Sequence, residues 1–205
     1  MGKQKLPIMI IGEGITDFYY FNSLKDRFRD IQIESTFPKH STSIKELGNK
    51  IEEGIANGYA KIYCVIDMDN KDKAKEKEQY LNLKQKYSKP IDKPKKGIHC
   101  EIKFFETHRC TELFFLYYFT YTSKPYENQE DLIKDINTYC EYKKEIPFFN
   151  KGKGLHSYFE KKGGSIDTAM ANAECSCKER IQTERDYTYT ELGEMINCLI
   201  TNKNK

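Results

Sequence analysis

Glu13, Asp67 and Asp69 are the residues of this chain whose type and placement point most directly to chemistry. Each follows an apolar run. Ile8-Met9-Ile10-Ile11 precedes Gly12-Glu13-Gly14, and Ile62-Tyr63-Cys64-Val65-Ile66 precedes Asp67-Met68-Asp69. Short runs rich in Ile and Val read as strands buried on both faces. In an open parallel sheet the ligand site lies beyond the carboxyl ends of the strands. Asp67 and Asp69 are two residues apart, so in extended backbone their side chains point the same way. Carboxylates gathered at one sheet edge repel one another unless a cation stands among them, and oxygen donors of this kind suit Mg²⁺ or Mn²⁺.

The elements that must position these groups follow from periodicity. A strand over 6–11 leads through the glycine turn to a helix capped by Thr16 or Asp17, with Phe18, Phe21, Leu24 and Phe28 on one face. Residues 31–37 alternate as a second strand. Ser41 or Thr42 caps the next helix, whose apolar face is Ile44, Leu47, Ile51 and Ile55 and which stops at Asn57-Gly58. A third strand covers 61–66. This β-α-β-α-β order is that of an α/β fold with a parallel sheet and right-handed crossovers. A Lys- and Glu-rich helix is expected within 70–87, a loop over 89–96, a fourth strand over 97–105, a loop over 106–109 and an aromatic helix over 111–121. Helical patterns then fill 127–142, 155–161, 166–182 and 189–200. The reading is one compact unit: an α/β core over 1–125 and a helical C-terminal half, 126–205, packed on it.

The chain has 205 residues and a formal charge of +3, too small to argue for nucleic-acid binding by itself. Lysine is concentrated in 71–96 and again in 143–162, runs that contact phosphates or form solvated faces. No stretch of about 18 apolar residues offers a membrane span. With no signal-peptide pattern either, a cytoplasmic protein with seven free thiols is expected. No CxxC pair, H-E-x-x-H or GxxxxGK[ST] pattern occurs, which argues against a zinc site and against a Walker ATP site. The aromatic segment 114–121 reads as buried helix in preference to a base-stacking surface.

Glu13-Gly14 with Asp67-x-Asp69 about fifty residues later resembles the TOPRIM signature. Gly12-Glu13-Gly14-Ile15-Thr16-Asp17-Phe18-Tyr19-Tyr20-Phe21 is similar to the EGxTExxYF opening of the RloB-like family, relatives of the overcoming-lysogenization-defect nucleases. Arg109-Cys110-Thr111-Glu112-Leu113-Phe114 through Phe119 resembles that family's NPCFE-aromatic segment, with Arg-Cys-Thr standing for Pro-Cys-Phe and Asp17 for a glutamate. Phe149-Asn150-Lys151 falls where the family carries Y-x-K, with Lys153 as the rival lysine.

The resemblance implies a TOPRIM, Rossmann-like fold and a Mg²⁺- or Mn²⁺-dependent nuclease acting on DNA or RNA. It implies one or two ions held by Glu13, Asp17, Asp67, Asp69 and Glu112, a catalytic lysine at Lys151 or Lys153, and His108 near phosphate. Each of the outer residues has a plainer reading: Asp17 and Glu112 as acids at helix starts, His108 as a loop histidine, the lysines as a solvated turn. A separate AAA- or ABC-type ATPase subunit, a role in bacterial anti-phage defence and a possible homo-oligomer are implied as well. The competing expectation is a non-catalytic metal- or nucleic-acid-binding regulatory subunit of such a complex.

Overall fold

A computed structural model describes residues 6–29, 31–35, 43–68 and 74–203. It is a mixed α/β chain whose central sheet is mostly parallel and whose C-terminal half is helical. The chain forms two compact units, one of Met1–Val65, Asn70–Phe104 and Leu199–Lys205, the other of Ile66–Asp69 and Phe105–Cys198.

The first unit is built on strands β1 (Pro7–Ile11), β2 (Gln32–Ser35), β3 (Lys61–Asp67, which enters the second unit at Ile66), β4 (Ile91–Lys93) and β5 (Ile98–His108, which enters it at Phe105). Their order is β2-β1-β3-β5-β4. β1 is parallel to β2, with Ile8 beside Ile33, and to β3, with Ile11 beside Cys64. Ile8, Ile10, Ile11, Ile62, Tyr63, Cys64 and Val65 are buried, as strands covered on both faces require. β2 has one wet face: Ile33 and Ser35 are buried while Gln32 and Glu34 are exposed. β5 runs parallel to β3. Glu101 N–H donates to Ala60 C=O near the start of both strands, and Met68 N–H donates to Thr107 C=O near their ends.

Three helices cover this sheet: α1 (Ile15–Ser23), α2 (Ile44–Ala56) and α3 (Ala74–Lys86). α2 buries Leu47, Ile51 and Ile55 along one stripe. Its N-cap is Ser43, later than expected; Ser43 Oγ accepts from Glu46 N–H, and Glu46 Oε2 accepts from Ser43 N–H at 2.9 Å, a reciprocal capping box. Ser41 and Thr42 lie outside the described residues. The expected loop at 89–96 instead holds β4, antiparallel to β5 with Asp92 beside His99. The connection closes at Gly97 (φ +64°), a left-handed backbone that glycine adopts without a Cβ penalty. Two Pro residues concealed a three-residue edge strand, where Pro is tolerated at the margins.

The second unit is helical: α4 (Glu112–Tyr117), α5 (Gln129–Ile136), α6 (Ile146–Phe149), α7 (Leu155–Lys161), α8 (Ile166–Thr183) and α9 (Leu192–Lys203, whose last turn belongs to the first unit). β5 continues as strand through Glu106, Thr107 and His108, where a loop was expected. The reason is β6 (Tyr189–Thr190), which pairs antiparallel with it: Thr107 beside Thr190, His108 beside Tyr189. The two threonine hydroxyls meet at 2.8 Å, and Arg180 stacks 3.6 Å from the Tyr189 ring centre. Tyr189 and Thr190 therefore leave the expected C-terminal helix, which begins at Leu192. The aromatic segment is core over its first part, where Phe114, Phe115, Tyr117 and Tyr118 are at most 1% exposed, while Phe119 and Tyr121 are half-buried.

Candidate active-site residues

In the second unit, α4 is apolar on every side. Leu113, Phe114, Phe115, Leu116 and Tyr117 are all buried, so Glu112 at its first turn is drawn in with them and is 1% exposed. A carboxylate taken out of water must be paired and hydrogen-bonded. Tyr142 Oη donates to Glu112 Oε1 at 3.1 Å, Gln129 Nε2 donates to Oε2 at 2.8 Å, and Lys144 Nζ stands 3.2 Å from Oε1. Lys144 Nζ also donates to Gln129 Oε1 at 3.0 Å. Glu112, Lys144 and Gln129 thus close a ring of side-chain bonds.

Each partner is fixed by its own surroundings. Gln129 opens α5, whose N-cap Asn128 accepts from Asp131 N–H. Tyr142 is held in an aromatic cluster, with ring centres 5.8 Å from Phe115 and 5.7 Å from Phe148, and its N–H donates to Asn137 Oδ1. Cys110, buried, accepts from Gln129 Nε2 through Sγ at 3.2 Å.

Asp67, at the end of β3, lies within electrostatic reach of this group, and its Oδ1 is shut off from solvent. Burial pushes the Cys110 thiol well above its ordinary value, and the charges of Glu112 and Asp67 push it further. Burial pulls the Lys144 ammonium down, but Glu112, Cys110 and Asp67 outweigh it and the net displacement is upward. Lys144 is therefore a fixed cation, held among carboxylates on a side chain 39% exposed.

In the first unit, Glu13 sits half-exposed on the turn after β1. Asp17 is 2% exposed at the third position of α1, whose N-cap is Gly14 and not Thr16 or Asp17. Its Oδ2 accepts from Gly14 N–H at 2.9 Å, which folds the carboxylate back over the turn. A Cβ on Gly12 would stand 2.2 Å from Asp17 Cβ, so glycine is required there. The first-turn reading of Asp17 has a geometric basis in this bond.

The other expected residues are placed as follows. Asp69 lies outside the described residues. Lys151 Nζ stands 5.0 Å over the Phe148 ring, and Lys153 is exposed. The lysine on Glu112 is Lys144, which the sequence reading passed over although Tyr142-Lys143-Lys144 is itself a Y-x-K sequence. His108 accepts from Thr188 N–H through Nδ1 at 3.1 Å and stacks on Tyr189, so it ties the strand end together. Glu112, expected among the metal ligands, has both oxygens engaged by Tyr142, Lys144 and Gln129, and this geometry suits an anchor for Lys144. Among the described residues, no group of three or more His, Cys, Asp or Glu side chains is arranged to hold a metal ion.

Among the described residues no helix is long and apolar enough to cross a membrane. Comparison with curated proteins and with solved structures finds no match. The family model described as RloB-like protein matches residues 8–199, and the chain belongs to the RloB-like family.

Proposed function

We propose that this protein is a divalent-cation-dependent nuclease of the TOPRIM type that hydrolyses phosphodiester bonds in DNA or RNA. The observation that carries the reading is the Lys144 ammonium, clamped by Glu112 and Gln129 within electrostatic reach of Asp67 at a strand's end. Phosphoryl transfer needs fixed positive charge against the developing negative charge, with little other chemistry asked of the protein. The family supplies the rest of the reading: Glu13, Asp67 and Asp69 as cation ligands. Their donors are all carboxylate oxygens, the chemistry that suits Mg²⁺ or Mn²⁺. Glu112 and Asp17 fit less well, since their oxygens already hold Lys144 and the glycine turn.

The bound cation would lower the pKa of a water and neutralise the leaving oxygen. The protein's own groups do the positioning. Lys144 meets a phosphate oxygen. Glu112 keeps Lys144 charged and aimed, and Tyr142 and Gln129 keep Glu112 in place. A separate ATPase subunit and a role in anti-phage defence belong to the same proposal and rest on the family alone. A regulatory subunit that holds a cation without cutting is the second reading. It is favoured by the engagement of Asp17 and Glu112 in bonds that serve the fold. The test is cleavage of plasmid, linear duplex, single-stranded DNA and RNA with Mg²⁺ or Mn²⁺, wild type beside Glu13→Ala. Cation-dependent cutting lost in the variant supports the nuclease. Cation binding with no cutting on any substrate supports the regulatory subunit.

A further inference from the structure

In the second unit, a net excess of positive charge is found in one stretch of sequence. Residues 139–163 carry six lysines against three glutamates. The preceding residues 105–138 carry three basic against six acidic residues, and the following 164–198 three against seven. This stretch is the natural landing place for a polyanion approaching the unit.

Its lysines converge in space. Lys143 Nζ lies 3.2 Å from Glu141. Glu141 is held below the usual carboxylate range first by Lys143, through its hydrogen bond and its charge, then by the charges of Lys151 and Lys162. All three lysines are exposed. Lys151 stands 5.0 Å over the Phe148 ring and Lys162 5.8 Å over Tyr158, and these two rings pack edge to face at 5.1 Å. The ammonium groups are thus seated on an aromatic base, which limits the freedom they lose on binding.

Two residues before Glu141, Tyr139 is 46% exposed. It lies nearly parallel to Phe119, at 12° and 5.5 Å between ring centres. One face of the ring is covered and the residue remains open to solvent. Aromatic faces beside a basic track stack unpaired bases without regard to sequence. A duplex keeps its bases stacked within itself and has no use for such a face. An acidic polypeptide satisfies the lysines and leaves the ring idle.

We propose that Lys143, Lys151 and Lys162, together with the Tyr139 ring, form a binding surface for single-stranded nucleic acid, phosphates on the lysines and a base on the ring. The surface deepens the nuclease reading by naming its substrate form, and rests on that reading for its purpose. Its test does not require cleavage.

The experiment is fluorescence anisotropy with the full chain in EDTA. The probes are labelled oligo-dT, oligo-rU and a duplex of equal length, with poly-glutamate as competitor. Tyr139→Ala is expected to weaken the single strands about 5- to 100-fold, the range for loss of one stacked base, and to leave duplex binding unchanged. Tyr139→Phe retains the wild-type affinity. The triple charge reversal Lys143→Glu, Lys151→Glu, Lys162→Glu reduces the log–log salt slope for single strands by about 2. The dT and rU arms show which sugar is preferred. The proposal is overturned if wild type binds no single strand, if duplex binds as tightly, or if Tyr139→Ala has no effect. Displacement by poly-glutamate with an idle Tyr139 assigns the patch to an acidic protein instead. Single-strand binding left unchanged by these variants in a protein that cuts condemns this surface alone, whereas single-strand binding that the variants abolish in a protein that never cuts condemns the nuclease reading alone.

Discussion

Lys144 and Glu112 bear on both the stability of the second unit and its proposed chemistry, and a double-mutant cycle resolves the pair. Lys144→Met leaves Glu112 as a carboxylate 1% exposed, with Tyr142 and Gln129 as donors but no counter-ion. Removing one partner of a fully buried pair costs about 3–5 kcal/mol. The Lys144 side chain is 39% exposed, so water screens part of the interaction and the expected cost is about 2–3 kcal/mol. Glu112→Gln keeps shape and a carbonyl oxygen while removing the charge. In the double variant Lys144→Met, Glu112→Gln no uncompensated charge remains. It should therefore be more stable than Lys144→Met alone, by about 1–2 kcal/mol. For a chain of this length each kcal/mol moves Tm by about 2–4 °C. Urea and thermal unfolding of the four proteins measure the cycle. The sign with pH is fixed as well. The folded pKa of Lys144 lies above its ordinary value of 10.5, so the pair's contribution is complete below 10.5 and is lost as pH rises through the higher folded value. Wild type and Lys144→Met should converge only in strong alkali. A double variant no more stable than Lys144→Met would refute the argument that Glu112 is held by that cation.

Three further outcomes are expected. Gly12→Ala puts a Cβ into Asp17 Cβ at 2.2 Å, so the turn must shift; a loss of about 1–3 kcal/mol is expected by thermal unfolding, and an unchanged Tm would contradict the packing of Asp17 over the turn. Ser43→Ala removes the N-cap acceptor of α2 and should cost about 1 kcal/mol, read as a lower urea midpoint, whereas Ser43→Asp should retain most of the stability. In a cleavage assay under saturating substrate, Lys144→Ala should lower kcat by 10²-fold or more, the order found for loss of one preorganised charge-stabilising group, while Lys151→Ala leaves kcat near wild type and acts on binding. The reverse ranking would return the catalytic role to Lys151.

The sheet was legible because its strands are written in an unambiguous code. Ile8 to Ile11 and Ile62 to Ile66 are continuous apolar runs, and the Leu47, Ile51, Ile55 spacing admits only a helix. β4 and β6 were not legible. Ile91–Lys93 is held by pairing with β5, and Tyr189–Thr190 by pairing with Thr107 and His108, so both depend on partners distant in sequence. In the site, Glu13 and Asp67 stand out by position at strand ends. The Glu112 network did not, because Gln129, Tyr142 and Lys144 are gathered by α5 and the aromatic cluster, and no local spacing announces that. Tyr142-Lys143-Lys144 was the available signal. It was eclipsed by Phe149-Asn150-Lys151, a weaker match that lacks the tyrosine hydroxyl that reaches Glu112.

The central claim, cation-dependent hydrolysis of phosphodiester bonds, meets its most direct test in Asp67→Asn. The side chain keeps its shape and loses the charge that a divalent cation needs. Mn²⁺ binding by calorimetry and Mn²⁺-dependent cleavage are measured on the same preparation, with Tm as the control for folding. Loss of both binding and cleavage, with Tm preserved, is the expected result. Full cleavage by Asp67→Asn would contradict the account.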